Sequence, residues 1–318
     1  MKLLSFHDVV DIRDFSREQL EAIMDYALEF EPIGKGLKTS DMLSEKILAT
    51  LWYEPSTRTR MSFESAMMRL GGKVISTPGM LQVSSAWKGE SLEDTVRTVQ
   101  NYCDVIAFRH HETGVARIVA DYTDIPVLNG GDGWNQHPTQ GMLDLLTLRR
   151  ERGHIDGLKI ALIGDLSPHC RSINTLAWGL TNYKTELRLV SPWETKMNPE
   201  IVKTLRDNGS TVYETEDIRE GIDGAEVVYI LRIQKERFKD PAKLAKLEKV
   251  SGKYHLDRRM LEKAGGDSIT VMHPMPRIDE VSYDVDDYPG TCYFRQSFNG
   301  LLIRMAVLSI VLGKEPAK

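Results

Sequence analysis

The sequence predicts an α/β protein of two doubly wound, parallel-sheet domains with a cleft between them. Three observations carry that prediction. Short apolar runs of strand length alternate with segments patterned at helical spacing along nearly the whole chain, and such alternation builds parallel sheets flanked by helices. The chain has 318 residues, past the roughly 250–300 at which a single hydrophobic core stops growing. The two halves share one rhythm without any repeat of sequence.

The elements follow in order. Ser16 caps a first helix and Gln19 completes a capping box; Leu20, Ile23, Met24, Ala27 and Leu28 then recur at helical spacing. Residues 35–44, rich in Gly, Lys and Ser, read as a loop. Strands are expected at 47–53, 74–77, 104–108 and 126–129. Pro55 ends the first of them, because proline lacks an N–H and restricts its predecessor. Phe63, Ala66, Met67 and Leu70 stripe the next helix, which Gly71-Gly72 stops. Ser91 caps a helix bearing Leu92, Val96 and Val99, and another helix is expected at 115–122. The turn-rich run Gly130-Gly131-Asp132-Gly133 follows the fourth strand, and a helix over 138–152 carries the chain into its second half. There, strands are expected at 158–163, 186–190, 211–213, 227–231 and 268–272, with helices between most of them.

Composition narrows the function. Lys+Arg 41 against Asp+Glu 46 gives a net charge of -5, without the basic excess of a nucleic-acid-binding chain. Cys103, Cys170 and Cys292 are odd in number and far apart, which argues against a disulfide framework and for a reducing compartment. The opening MKLLSFHDVVDIRDFS has early acidic residues and no apolar core of signal-peptide type. The most apolar stretch, 301–312, contains Arg304 and falls short of the ~20 residues of a membrane helix. A cytoplasmic protein is expected.

In doubly wound sheets, ligands bind beyond the carboxyl ends of the strands, so the segments after each strand are where chemistry is expected. Ser56-Thr57-Arg58-Thr59-Arg60 follows a strand and opens a helix, a setting where backbone N–H groups and the helix dipole favour an anion. Hydroxyls and guanidiniums in succession suit a compact dianion such as phosphate. Neither a Walker loop nor G-x-G-x-x-G is present. Arg109-His110 directly follows the strand 104–108. His137 and Gln140, at the start of the 138–152 helix, share a face and can address a carbonyl oxygen and an amide. Arg171 and Arg232 stand after strands of the second half and suit a substrate with more than one carboxylate. His273-Pro274-Met275-Pro276-Arg277 is a proline-stiffened loop whose carbonyls can receive an amine, and 84–90 is a polar loop with one lysine, Lys88. His110-His111 and His169-Cys170 lack zinc-site spacing, so no metal is expected. No G-x-S-x-G nucleophile signature occurs either.

Taken together, YEPSTRTRMSFE (53–64), SSAWKGESLEDT (84–95), DVIAFRH (104–110), NQHPTQGMLDLLT (135–147), GDLSPHCRS (164–172), LRIQKERF (231–238) and MHPMPRIDEV (272–281) resemble the aspartate/ornithine carbamoyltransferase family. The order of these motifs covers nearly the whole chain. Ornithine-type members carry His-Cys-Leu-Pro where this chain has His273-Pro274-Met275-Pro276, so the resemblance is to the aspartate type, as is Arg232-x-Gln234. Met275 stands where many aspartate-type chains have Leu, and Trp87 differs from a smaller or basic residue in some relatives.

The resemblance implies transfer of a carbamoyl group from carbamoyl phosphate to L-aspartate, an early step of pyrimidine synthesis. Ser56, Thr57, Arg58, Thr59 and Arg109 would hold phosphate. Thr59, Arg109 and His137 would donate to the carbamoyl oxygen, while Gln140 and the backbone at Met275 and Pro276 would hold its NH2. Ser84, Lys88, Arg171, Arg232 and Gln234 would bind aspartate, and Lys88 would also reach phosphate. Glu54 would pair with Arg171 or Arg237 as the active-site cleft closes. Domains are implied at 1–137 plus 291–318, for carbamoyl phosphate, and 138–290, for aspartate, with a helix at about 293–312 returning to the first. No cofactor is implied. Homotrimers with active sites shared between subunits are implied, and a regulatory chain or a dihydroorotase as further partner is left open.

Overall fold

The computed structural model describes residues 4–314 except 236, 237 and 239. It divides into two compact units, Met1–Leu143 with Ser297–Lys318, and Asp144–Gln296. Both divisions fall inside helices, Pro138–Arg152 and Tyr293–Val311, whereas the sequence places them near the helix starts.

The first unit is built on four parallel strands, β1 (Ile47–Trp52), β2 (Lys73–Pro78), β3 (Val105–His110) and β4 (Val127–Asp132), in the order β2-β1-β3-β4. β1 is buried from Leu48 to Trp52 with Thr50 its one polar residue, while edge strand β2 is largely exposed. Ala49, Leu51, Ile106, Phe108 and Val127 form a core with Val96 and Val119 from the neighbouring helices. The helix Tyr293–Val311 is buried around Leu302, Met305, Val307 and Leu308. Its Arg304, anomalous in an apolar run, is also buried; it donates to Ser62 Oγ at 3.1 Å and lies 5.0 Å over the Phe63 ring.

The second unit holds five parallel strands, β5 (Lys159–Ile163), β6 (Glu186–Val190), β7 (Thr211–Thr215), β8 (Val227–Ile230) and β9 (Thr270–Met272), in the order β7-β6-β5-β8-β9. Ala161, Ile163, Val228, Ile230 and Val271 anchor its core. No helix among the described residues is long and apolar enough to cross a membrane.

Strand order locates two crevices. In the first sheet the chain runs from β1 out to β2, then reverses to β3 on the other side of β1. In the second it runs β5, β6, β7, then reverses to β8 on the other side of β5. The carboxyl ends of β1 and β3, and of β5 and β8, therefore flank the reversal points where a doubly wound sheet opens.

Two expected boundaries are corrected. Arg109 and His110 lie inside β3 rather than after it. β1 continues far enough for Arg109 to stand opposite Trp52, and Tyr53 N–H donates to Arg109 O at 2.8 Å, so the ladder runs on. β4 likewise absorbs Gly130, Gly131 and Asp132, read from the sequence as a turn. A side chain at Gly130 would meet the Trp52 ring at 2.6 Å, so the strand can pass that indole only as glycine.

Candidate active site

After β1 the chain turns through Glu54-Pro55-Ser56 into the helix Thr57–Arg69. Ser56 holds the N-cap position in extended conformation, yet its side chain makes no capping hydrogen bond. The hydroxyl is thus not spent on the helix that it begins. Thr57 and Arg58 are exposed and Thr59 is buried. Desolvation lowers the Arg58 pKa from its ordinary value, and the guanidinium stays charged at neutral pH. Arg60 turns along the helix toward Glu64, 3.7 Å away.

The β1–β3 reversal brings Glu54 and Arg109 together. Arg109 Nη2 donates to Glu54 Oε1 at 2.9 Å and Nη1 to Gly130 O at 3.0 Å, with both side chains mostly buried. Glu54, expected from the resemblance as a partner of Arg171 or Arg237, is thus engaged with Arg109. Arg237 lies outside the described residues.

Thr59 Oγ1 and His137 Nε2 are 3.2 Å apart and buried. They lie 78 residues apart in sequence, and a second buried network brings them together. Asp132, at the end of β4, accepts from Asn129 Nδ2 (2.8 Å), Gln136 N (3.1 Å), Gly114 N (3.0 Å) and Asn135 Nδ2 (3.1 Å). Asn129 in turn reaches Val10 O at 2.9 Å. This network ties the end of the sheet to the residue preceding His137. The helix Pro138–Arg152 then begins with Gln140 N–H on His137 O at 2.8 Å, and Gln140 is half-buried. Sequence reasoning missed Asp132 and Asn129, because Asn and Asp beside glycines read as ordinary turn residues.

In the second unit, the β5–β8 reversal gathers Asp165, Cys170, Arg171 and Gln234. Gly164 at the end of β5 has φ +109°, and an added Cβ would come 2.0 Å from Leu231 O, so only glycine lets the two strand ends approach this closely. Buried Asp165 accepts from Ser167 Oγ (2.6 Å), Ser167 N (3.1 Å) and Gln234 N (3.3 Å). Gln234 Nε2 donates to Cys170 Sγ at 3.2 Å. Cys170 is the N-cap of the helix Arg171–Leu180, and Arg171 is buried at its first position. Arg232, two residues past β8, is half-buried. Asp165 is a further residue that the sequence reading left without a role.

Ser84 is half-buried and donates to Met80 O at 2.6 Å. Lys88 is exposed at the end of the short 3-10 helix Ser85–Lys88. Glu90 holds that segment by accepting from Ser85 Oγ (2.5 Å) and Thr95 Oγ1 (2.8 Å), and those hydroxyls lower its pKa. Met275 is half-buried against the second core and Pro276 is exposed. Among the described residues, no three His, Cys, Asp or Glu side chains gather as metal ligands would.

The arrangement comprises a helix start rich in anion donors beside a buried Thr/His pair in one unit, and two arginines with a tethered amide in the other. Residues 7–150 match the family described as aspartate/ornithine carbamoyltransferase, carbamoyl-P binding domain, and residues 156–311 match its Asp/Orn binding domain. The chain belongs to the aspartate/ornithine carbamoyltransferase family. An aspartate carbamoyltransferase catalytic subunit from Methanopyrus kandleri is 46% identical over 98% of this chain and 99% of its own. Chloroplastic aspartate carbamoyltransferase from Arabidopsis thaliana is also 46% identical, over 98% of this chain and 79% of its own. The solved catalytic subunit of M. jannaschii aspartate transcarbamoylase superposes with a TM-score of 0.88 at 43% identity, covering 96% of this chain and 98% of that one. Trypanosoma cruzi aspartate transcarbamoylase, in complex with carbamoyl phosphate and aspartate, gives 0.90 at 33% identity over 99% and 98%. The phosphate-type turn, Arg109 and His137 thus fall within the carbamoyl-P binding match, and Arg171, Arg232, Gln234 and Met275 within the Asp/Orn binding match.

Proposed function

We propose that this chain transfers the carbamoyl group of carbamoyl phosphate to the amine of L-aspartate, giving N-carbamoyl-L-aspartate and phosphate. The observation that carries the reading is the division of chemistry between the two strand-order reversals: anion donors with a buried Thr59–His137 pair at one, arginines with Gln234 at the other. Relatives at 46% identity carry the aspartate carbamoyltransferase name, and the T. cruzi neighbour binds both substrates.

On this reading Ser56, Thr57, Arg58, Thr59 and Arg109 hold the phosphate. Thr59, Arg109 and His137 donate to the carbamoyl oxygen as it gains charge during amine attack, which is oxyanion stabilisation. Gln140 and the backbone at Met275 and Pro276 accept from the carbamoyl NH2. Arg171, Arg232 and Gln234 bind the aspartate carboxylates. The amine attacks the carbonyl carbon, the C–O bond to phosphate breaks, and the departing phosphate takes the amine proton. No covalent intermediate is needed, so catalysis is positioning and electrostatics. Ser84 and Lys88 act in the site of a neighbouring subunit of a homotrimer. The setting is cytoplasmic pyrimidine synthesis.

The test is a competition assay with the purified chain, carbamoyl phosphate, and equal L-aspartate and L-ornithine. Carbamoyl-aspartate as the dominant product supports the reading. Citrulline as the dominant product, or no turnover of either amine, overturns it.

A further inference from the structure

Among the described residues, Met275 is the one non-glycine residue with positive φ, at +55°. Left-handed backbone costs a non-glycine residue of this kind free energy and persists only where its surroundings over-determine it. The surroundings here are a buried clamp. Met275 N–H donates to His273 Nδ1 at 2.7 Å. That bond makes Nδ1 the acceptor, so Nε2 carries the ring hydrogen and donates it to Glu280 Oε1 at 2.6 Å. Glu280 Oε2 accepts from Ile278 N and Asp279 N, both at 3.1 Å. Both side chains are almost fully buried.

The clamp is itself anchored. His273 N–H donates to Gln296 Oε1 at 2.9 Å, Gln296 Nε2 to Asp144 Oδ1 at 2.7 Å, and Tyr229 Oη to Asp144 Oδ2 at 2.9 Å. A chain of buried groups thus runs from β8 to the loop. Burial alone would raise the Glu280 pKa, but the His273 bond and the backbone N–H groups of Glu280 and Ile278 hold it below the ordinary carboxyl value. Neither His273 nor Glu280 is needed as a ligand in the proposed chemistry.

We propose that His273 and Glu280 are positioning residues that lock the Met275–Pro276 backbone as a rigid acceptor for the carbamoyl NH2, an inference resting on the role given above to that backbone. The imidazole reads the loop at Met275 N, and the carboxylate reads it at Ile278 N and Asp279 N, so the carbonyls between them cannot drift. The clamp selects the acyl group of the first substrate. It has no part in phosphate binding.

Calorimetry with the full chain separates these effects. Three probes are used: inorganic phosphate, carbamoyl phosphate, and acetyl phosphate, in which a methyl replaces the NH2. The wild type should bind carbamoyl phosphate more tightly than acetyl phosphate. In Glu280→Ala that preference should shrink by about tenfold, the worth of a lost hydrogen bond, while the phosphate Kd stays within about twofold. Glu280→Gln keeps an acceptor for His273 Nε2–H but loses the acceptor for the backbone amides, and should fall between; it also carries the comparison if the alanine variant fails to fold. A folded variant that keeps the full preference overturns the proposal. Equal weakening of all three probes also overturns it, because the clamp would then be general scaffolding. A wild type that does not distinguish carbamoyl from acetyl phosphate refutes the role of the Met275–Pro276 backbone itself, and the inference falls with it.

Discussion

Replacing Asp132 with alanine should loosen the first unit locally and disable the candidate site without touching any proposed ligand. The carboxyl is fully buried and accepts from Gly114 N, Ala116 N, Gln136 N, Asn129 Nδ2 and Asn135 Nδ2. The two asparagine amides can turn elsewhere; Asn129 Nδ2 already reaches Val10 O. The backbone donors cannot, and two of them, Ala116 and Gln136, are buried. Each buried N–H left without an acceptor costs about 1–3 kcal/mol, so the pair sums to about 4 kcal/mol. Global unfolding is a poor gauge in a chain of two units. Native-state hydrogen exchange is the better assay, because it reports opening residue by residue. At about 1.36 kcal/mol per decade, protection at Ala116 and Gln136 should fall by roughly a thousandfold. The amides of β6, in the other unit, should keep theirs. Turnover should drop in parallel, since Gln136 precedes His137. A fall in protection of less than tenfold, or an equal fall across both units, would refute the argument that Asp132 seats His137.

Four further outcomes follow from the site. Arg58→Ala should lower kcat/KM by about 10²–10³, the scale of one lost oxyanion donor, with circular dichroism unchanged; near-normal kcat/KM would remove Arg58 from the site. Arg232→Ala should raise KM for aspartate far more than KM for carbamoyl phosphate, because on the proposed reading a carboxylate contact is lost; equal changes in both would contradict its assignment. Lys88→Ala and Arg171→Ala should each be nearly inactive, yet on the proposed sharing of sites between subunits, mixing and reassembling the two should restore activity above either parent, since some sites would then carry no substitution; hybrids confirmed by mass without recovery would exclude sharing. Burial among Phe108 and Tyr53, with His111 stacked alongside, lowers the His110 pKa to about 4. The unfolded chain therefore binds the extra proton between about 6.5 and about 4. Stability should be lost as pH falls through that window, and His110→Phe should flatten the slope in urea titrations run at several pH values; an unchanged slope would show that His110 is not its source.

Periodicity made the strand–helix alternation legible, and with it both sheets, because parallel strands buried on two faces write themselves as unbroken apolar runs. The helix 138–152 was readable because Pro138 suits only a helix's first turn. Harder to read were strand ends rich in polar residues. Arg109 looks like a residue past its strand until Trp52 is seen opposite it. Gly130-Gly131-Asp132 looks like a turn until the Trp52 ring is seen to require a residue without a side chain. Motif chemistry pointed to Thr59 and His137 separately, but no local spacing could pair residues so far apart. The supporting carboxylates Asp132, Asp165 and Glu280 were silent for another reason. Most of their partners are backbone amides, which every residue but proline carries, and their side-chain partners Asn129, Asn135, Ser167 and His273 form no recognisable motif with them.

The division of the chain at Leu143 and Gln296 has a consequence in time. Chains usually complete their domains in the order in which they are synthesised. Here the unit begun first is finished after the second, because most of its buried helix follows the second unit in sequence. While the second unit is being made and can already close, the first waits with the apolar seat of Leu302, Met305, Val307 and Leu308 empty. A ribosome stalled before that helix is made would therefore hold a molecule complete in its second unit and still sticky in its first. Sensitivity to chaperone supply should rise as translation of that helix slows.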